Sequence, residues 1–206
     1  RGVEKRIIFI DDQDYKVFLK YLKEALSPPP KHDDIVKTLT FKEENFKGVP
    51  KQPKNFFNKL ELICYCLMPN HFHLLIHQIE KGSLETFTRS ILVRYSMYFN
   101  KRYSRVGSLF QGPYKSIMID NENYLLHLSR YIHLNPGENF TNLSKAYSSY
   151  AEFLGIRNTI WIKPEIIIIN FNQAKSNFKS VNTYRDFVEK YKKDGARALE
   201  GLTLED

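Results

Sequence analysis

Residues 64–76 read CYCLMPNHFHLLI, and this stretch decides the fold. It predicts two strands, over 60–68 and 72–77, that are joined by a tight turn containing proline and asparagine. Because side chains alternate along a strand, His71 and His73 lie on one face while the residue between them points into the opposite layer. Two adjacent imidazoles on one face are either a metal site or an ordinary polar face, and their spacing alone does not decide between the two.

A second stretch, residues 130–136, reads RYIHLNP and predicts the end of a helix that begins near Asp120. Proline disfavours helical backbone in the residue before it, so the helix ends at or near Asn135. Tyr131 and Asn135 are one turn apart and project together. If this helix packs over the hairpin, Asn135 offers an oxygen ligand and Tyr131 offers a nucleophile beside the two histidines.

The order of the predicted elements indicates an α+β fold. Apolar residues at helical spacing predict helices over 12–26 and 83–100, and residues 109–119 have the character of an extended strand. With the hairpin and the helix that ends in RYIHLNP, the order is helix, strand, strand, helix, strand, helix. A first strand before Arg1 would complete a ferredoxin-like βαββαβ antiparallel sheet with helices on one face, and we expect that strand to be missing from this sequence.

We expect three parts along the chain. Residues 1–140 form the main domain, residues 141–193 form a C-terminal helical extension, and residues 194–206 form a loose tail. Residues 28–56 are polar and rich in lysine and proline, and they predict a loop or insertion that either contacts a nucleic acid or is inert. The apolar run 164–171 is compatible with a strand or a buried helix.

Composition restricts the function further. The chain of 206 residues carries 31 Lys and Arg against 23 Asp and Glu, a net charge of +8, which favours a polyanionic partner. No apolar run is long enough for a membrane span and no leader pattern is present, so we expect a cytoplasmic protein without a membrane partner. Cys64 and Cys66 lie two apart on one strand, a spacing that does not suit a disulfide, and two cysteines alone make no zinc site. We therefore expect reduced core residues.

Residues 91–130 hold six basic residues against two acidic ones, with tyrosine and phenylalanine between them. Basic groups bind phosphates and aromatic faces stack on unpaired bases, so this mixture is typical of single-stranded nucleic-acid binding. The alternative is a solvated basic face over an aromatic core. The candidate DNA-binding residues are Arg94, Lys101, Arg102, Tyr103, Arg105, Tyr114, Lys115 and Arg130.

The two stretches together resemble the single-tyrosine HUH transposases, and most closely the REP-associated tyrosine transposases. GSLFQGPYKS over 107–116, YSSYAEFLG over 147–155 and the opening RGVEKRIIFIDDQDYKVFLKYL are also similar to that family. The resemblance implies that His71 and His73 are metal ligands with Asn135 as the third. Nitrogen and oxygen ligands without a thiolate favour Mg²⁺ or Mn²⁺, although histidine also binds zinc. It implies that Tyr131 attacks a phosphodiester and forms a 5′-phosphotyrosine intermediate.

The resemblance also implies the partner, single-stranded DNA with hairpin (REP-like) elements, bound by a monomer or a homodimer. Two other functions remain open from the sequence. A basic, aromatic surface on this fold could bind hairpin DNA or RNA without cutting it. A metal-dependent phosphodiesterase could use water in place of Tyr131 as the nucleophile.

Overall fold

The computed structural model describes residues 1–137, 142–178 and 180–190. The predicted α+β class is confirmed: short antiparallel sheets are combined with helices. The predicted tail over 194–206 lies outside the described residues. The helices are α1 (Asp12–Leu26), α2 (His32–Ile35), α3 (Ser83–Arg102), α4 (Glu122–Leu134), α5 (Tyr150–Phe153), α6 (Glu165–Ala174) and α7 (Tyr184–Glu189), and the strands are β1 (Lys37–Phe41), β2 (Glu44–Gly48), β3 (Leu60–Met68) and β4 (His71–Gln78).

The hairpin of β3 and β4 is the centre of the molecule, and its two strands agree with the prediction. Met68 pairs with His71 and Cys66 pairs with His73. The register shifts at Ile63, where a β-bulge lets two successive residues of β3 face the same side. This shift places Cys64 and Cys66 on the face that carries the histidines.

Helices cover both faces of this hairpin, where the sequence predicted helices on one face. Helices α1 and α3 pack on one face, in a core that we call the α1–α3 core. It contains Phe18, Leu22, Leu62, Tyr65, Leu67, Phe87, Ile91 and Tyr95, with Phe72 at its edge. Helices α4, α6 and α7 pack on the other face, in a core that we call the α4 core. It contains Ile63, Cys64, Cys66, Leu75, Leu126, Ile132, Ile167, Phe171, Tyr184 and Phe187.

A buried polar network fixes α4 in the α4 core. His133 is fully buried, and its Nδ1 lies 3.0 Å from the hydroxyl of Tyr184 while its Nε2 lies 2.9 Å from Oγ of Ser149. Ser149 Oγ also accepts from the backbone N–H of Tyr65 on β3 at 2.9 Å. The network therefore joins α4 to α7, to the segment before α5 and to the hairpin.

The C-terminal residues also contact the first half of the fold. The ring of Tyr147 stacks on that of Tyr15 in α1 with 4.0 Å between ring centroids, and its hydroxyl hydrogen-bonds to Asp12. The backbone N–H of Leu67 donates to the carbonyl of Tyr147 at 2.8 Å. The division at residue 140 remains a prediction, but residues on both sides of it pack in common cores.

The structure differs from the expected elements in two places. Residues 109–119 form one antiparallel bridge, between Phe110 and Gly2, and no strand. Gly112, with a φ of +69°, interrupts the extended backbone, and the residues beyond it have no strand beside them in the described chain. Residues 28–56 contain the β1–β2 hairpin in addition to loops. Its turn, Lys42-Glu43, lacks the glycine or asparagine by which such turns are recognised.

The later apolar segments are also settled. The run 164–171, for which strand and helix were both open, is the helix α6. Within the expected C-terminal helical extension, residues 150–153 form only the single helical turn α5. Both cysteines are reduced and buried, as predicted, and burial raises the pKa of the Cys66 thiol to about 12. Across the described ranges, every helix is too short or too polar to traverse a lipid bilayer.

The buried histidine makes stability depend on pH. Burial lowers the pKa of His133 to about 3, so the imidazole is neutral in the folded protein and binds a proton below about pH 6.5 only after unfolding. Stability is therefore lost as pH falls from about 6.5 towards 3, at about 1.4 kcal/mol per pH unit from this residue alone. Urea unfolding of the wild type should give a free energy of unfolding that is lower at about pH 5 than at about pH 7, with about 2 kcal/mol of the difference due to His133. In His133→Gln the part of this pH dependence that comes from His133 should disappear. An equal decrease in the free energy of unfolding in the two proteins would contradict the lowered pKa of His133.

Candidate active site

The N-terminal segment holds the turn that precedes His71. The backbone N–H of Gly2 donates to the carbonyl of Asn70 at 2.8 Å, and the N–H groups of Ile8 and Phe9 donate to the carbonyl of Pro69 at 2.7 and 3.0 Å. These bonds fix the end of the hairpin from outside the sheet. The turn and the first residue of β4 are thereby held rigidly against the rest of the fold.

Asn70 then determines which nitrogen of His71 carries the proton. Its side-chain Nδ2 donates to the carbonyl of Lys5 at 3.2 Å, which leaves Oδ1 on the side of His71, 2.7 Å from Nδ1. Oδ1 can only accept, so Nδ1 of a neutral His71 donates and the lone pair resides on Nε2. A second hydrogen bond that fixes the tautomer in this way is typical of histidines that bind metals.

Helix α4 brings Tyr131 to the histidine face. The ring centroids of His73 and Tyr131 are 5.8 Å apart at an interplanar angle of 78°, and those of His71 and His73 are 5.0 Å apart at 89°. All three side chains are partly buried. The two stretches that the sequence singled out, separated by more than fifty residues, thus meet in one place.

Asn135 follows α4 as its C-cap residue. Its backbone N–H and its Nδ2 both donate to the carbonyl of Tyr131, at 3.1 and 3.2 Å. The side chain is thereby tied to the same turn of helix that carries Tyr131. Its Oδ1 is the atom that a metal would use, and its role as third ligand remains a prediction.

The chemistry of the donor groups fits a divalent metal ion. His71 has the tautomer that a ligand needs, and His73 lies beside it on the same strand face. No cluster of three or more His, Cys, Asp or Glu side chains suited to a metal occurs among the described residues. The third ligand that the resemblance implies, Asn135, would contribute an amide oxygen. Two imidazoles and an amide oxygen suit Mn²⁺ or Mg²⁺ better than a thiolate site would.

Three of the eight candidate DNA-binding residues have structural contacts in the α1–α3 layer. Arg102 donates to Asp11 and to the fully buried Asp14, at 2.6 and 2.7 Å, and the hydroxyl of Tyr103 donates to Asp14 at 2.9 Å. Arg94 pairs with Glu24 on α1 and stacks on a tyrosine ring of the same helix. Their part in DNA binding remains a prediction, but each of them joins α3 to α1.

The other five candidates differ in exposure. Arg105 donates to Asn100 and to a backbone carbonyl, which orders the loop after α3. Arg130 is buried, with its guanidinium 4.5 Å from the centroid of the Phe187 ring. Lys101, Tyr114 and Lys115 are exposed, so they are the better placed to reach a ligand.

Sequence reasoning missed Asn70 and gave His133 no definite role. Asn70 lies in the predicted turn, where asparagine is common for backbone reasons alone, so its side-chain contact with His71 had no separate signal. His133 lies on the other side of α4 from the histidine face, and its partners come from residues far along the chain. His77 shares a strand face with His73, but its Nδ1 lies 2.9 Å from a Glu61 carboxylate oxygen.

The hairpin strand with two histidines and the helical tyrosine opposite it place two potential metal ligands beside a potential nucleophile. Comparison with known families agrees: residues 43–135, slightly less than half of the chain, match the family model described as Transposase IS200 like. The match includes the β3–β4 hairpin, α3 and α4 with Tyr131 and Asn135, so the likeness to IS200-like transposases extends over the candidate site. No curated protein matches the chain. No solved structure matches it.

The contacts of Arg102 lead to a stability prediction. Arg102→Gln should lower the free energy of unfolding by about 2 kcal/mol, because the buried carboxylate of Asp14 loses its cationic partner. Lys101→Gln, one residue away and exposed, should change it by less than about 0.5 kcal/mol. Urea unfolding of the two variants beside the wild type measures the difference. Equal effects would mean that the Arg102–Asp14 pair contributes nothing to the fold.

Proposed function

We propose that this chain is a metal-dependent nuclease and strand transferase, a transposase, that is specific for single-stranded DNA and recognises DNA hairpins. The observation that carries the proposal is the position of the Tyr131 ring, 5.8 Å from that of His73 and on the same side of the hairpin as His71. The match to IS200-like transposases over the same residues supports it. The REP-associated subtype and its REP-like targets rest on the resemblance of the quoted motifs.

In the proposed reaction Tyr131 is the nucleophile. Its Oη forms a bond to the phosphorus of a phosphodiester, and the bond from phosphorus to the 3′ oxygen breaks. The leaving oxygen takes up a proton and becomes a 3′-hydroxyl, while the 5′ side of the DNA remains on the enzyme as a phosphotyrosine. Attack by a 3′-hydroxyl on that linkage reverses the step, so a strand can be rejoined without an external energy source.

His71 and His73 would hold the metal ion, with Asn135 as third ligand. A bound Mg²⁺ or Mn²⁺ would supply a Lewis acid for a phosphate oxygen. The chain's own contribution is orientation. Asn70 holds His71 in the ligand tautomer, and the network around His133 fixes the rotation of α4 and hence the direction of Tyr131. A phenol has a pKa of about 10, so its attack also needs positive charge near Oη, for which exposed Lys115 is a candidate.

The test of the nucleophile uses a labelled library of single-stranded DNA hairpins with Mn²⁺. The wild type should give a covalent protein–DNA band on a denaturing gel, and Tyr131→Phe should give none, because the attacking oxygen is removed. EDTA should abolish the band in the wild type. Tyr124→Phe, on the same helix, is the matched control and should keep the band.

Two other results would replace the proposal. Cleavage that persists in Tyr131→Phe without a covalent band would make water the nucleophile. Tight hairpin binding without cleavage in any protein would make the chain a binding module for hairpin DNA or RNA.

The role of Asn70 gives a separate prediction on metal binding. Asn70→Ala should weaken Mn²⁺ binding by about 10- to 100-fold, because His71 loses the bond that fixes its tautomer. Titration calorimetry with Mn²⁺ measures this affinity without reference to DNA cleavage. Asn172→Ala, which removes an exposed amide from α6, should bind as the wild type does. Unchanged Mn²⁺ affinity in Asn70→Ala would refute the proposed role of Asn70 in fixing the tautomer of His71.

A further inference from the structure

The hairpin of β1 and β2, Lys37–Gly48, projects from the fold, and we call it the hairpin arm. Each of its strands pairs with the other in register, from Lys37 opposite Gly48 to Phe41 opposite Glu44. The two strands form a separate sheet, and every residue from 40 to 47 is exposed. A two-stranded hairpin without packing on either face is marginally stable in water.

One face of the hairpin arm is apolar. Residues opposite each other across an antiparallel pair share a face, so Leu39 lies beside Phe46, and Phe41 lies diagonally next to Phe46 on that face. The side chain of Phe41 is 65 % exposed and that of Phe46 is 48 % exposed. Two exposed phenyl rings on one face of the arm offer a surface on which flat groups can stack.

The charge of the hairpin arm indicates the chemistry of its partner. Lys37, Lys42 and Lys47 lie on the arm, and Lys51 and Lys54 follow it in the chain. Over residues 37–54 these five lysines stand against two glutamates, and the ammonium of Lys42 lies 5.6 Å from the centroid of the Phe41 ring. Exposed aromatic rings with surrounding cations fit the bases and phosphates of a single-stranded nucleic acid, whereas an apolar protein partner would gain nothing from the lysines.

The turn of the hairpin arm supports a role for its tip. Lys42 and Glu43 have φ angles of +48° and +69°, a conformation that asparagine and glycine adopt at lower cost. The turn therefore keeps a lysine side chain at a position where stability alone favours other residues. Backbone strain of this kind is consistent with a contact made by the tip.

We propose that the hairpin arm is a second DNA-binding surface, on which Phe41 and Phe46 stack against unpaired bases and the lysines bind the adjacent phosphates. The proposal rests on the proposed function, since it takes single-stranded DNA as the ligand. It assigns to residues 37–48 a contribution to affinity that is independent of the reaction at Tyr131.

The test measures binding of the full chain to a labelled single-stranded oligodeoxynucleotide of mixed sequence by fluorescence anisotropy. The double variant Phe41→Leu/Phe46→Leu keeps the apolar face but removes the rings, and its affinity should fall at least about fivefold. Phe41→Tyr/Phe46→Tyr keeps both rings and should bind as the wild type does. Lys42→Gln/Lys47→Gln should reduce the slope of log affinity against log salt by about 1 to 2.

The covalent assay with Tyr131 separates this proposal from the proposed function. At saturating DNA the wild type should form the adduct. If the adduct forms but the leucine variant binds as tightly as the wild type, the proposal for the arm is overturned and the proposed function stands. If the leucine variant binds more weakly but no protein forms an adduct, the arm stands and the proposed cleavage fails.

Two further outcomes would also overturn the proposal for the hairpin arm. If the wild type binds no single-stranded DNA, both the arm and the proposed function fail. If light scattering shows a wild-type dimer that Phe41→Ser/Phe46→Ser converts to a monomer, a second copy of the chain covers the apolar face. In that case the arm is an oligomerisation surface.

Discussion

The structure depends on which face of the β3–β4 hairpin each side chain of β4 takes. The alternation along β4 decides this, and the bulge at Ile63 in β3 sets the pairing register of the two strands. The alternation sends Phe72 into the α1–α3 core and turns His71 and His73 towards α4. A shift of one residue would exchange these faces, placing two imidazoles against the α1–α3 core and a phenyl ring beside Tyr131. On β3 the bulge places Cys64 and Cys66 on the same face as the histidines, where the cysteines are part of the α4 core.

The parts of the fold governed by local pattern could be predicted from the sequence. The β3–β4 hairpin, α1 and α3 follow from periodicity, and the approach of Tyr131 to the histidines follows from two motifs and the assumption that α4 covers the strand. The second layer of helices could not be predicted, because it depends on contacts between residues far apart, such as Tyr184 with His133. The hairpin arm was missed because its turn lacks the usual residues.

The basic residues show why charge alone cannot define a binding surface. Arg94 and Arg102 lie in the most basic part of the sequence, yet in the structure each faces a carboxylate from the first helix or its cap. Their positive charge is largely compensated within the fold. The lysines of residues 37–54 belong to a region whose sequence predicted a loop or insertion, and in the structure all five are exposed.

The contacts of α4 with the last third of the chain bear on how this protein can be divided. The family match ends at residue 135, whereas the groups that hold Ser129 and His133 belong to Ser149 and Tyr184. A segment cut at the end of the match would open the core along its length and expose these polar groups and the rings around them. The matched region is therefore not a module that recombination could transplant intact, whereas an outlying element such as the hairpin arm can be gained or lost with little effect on the core.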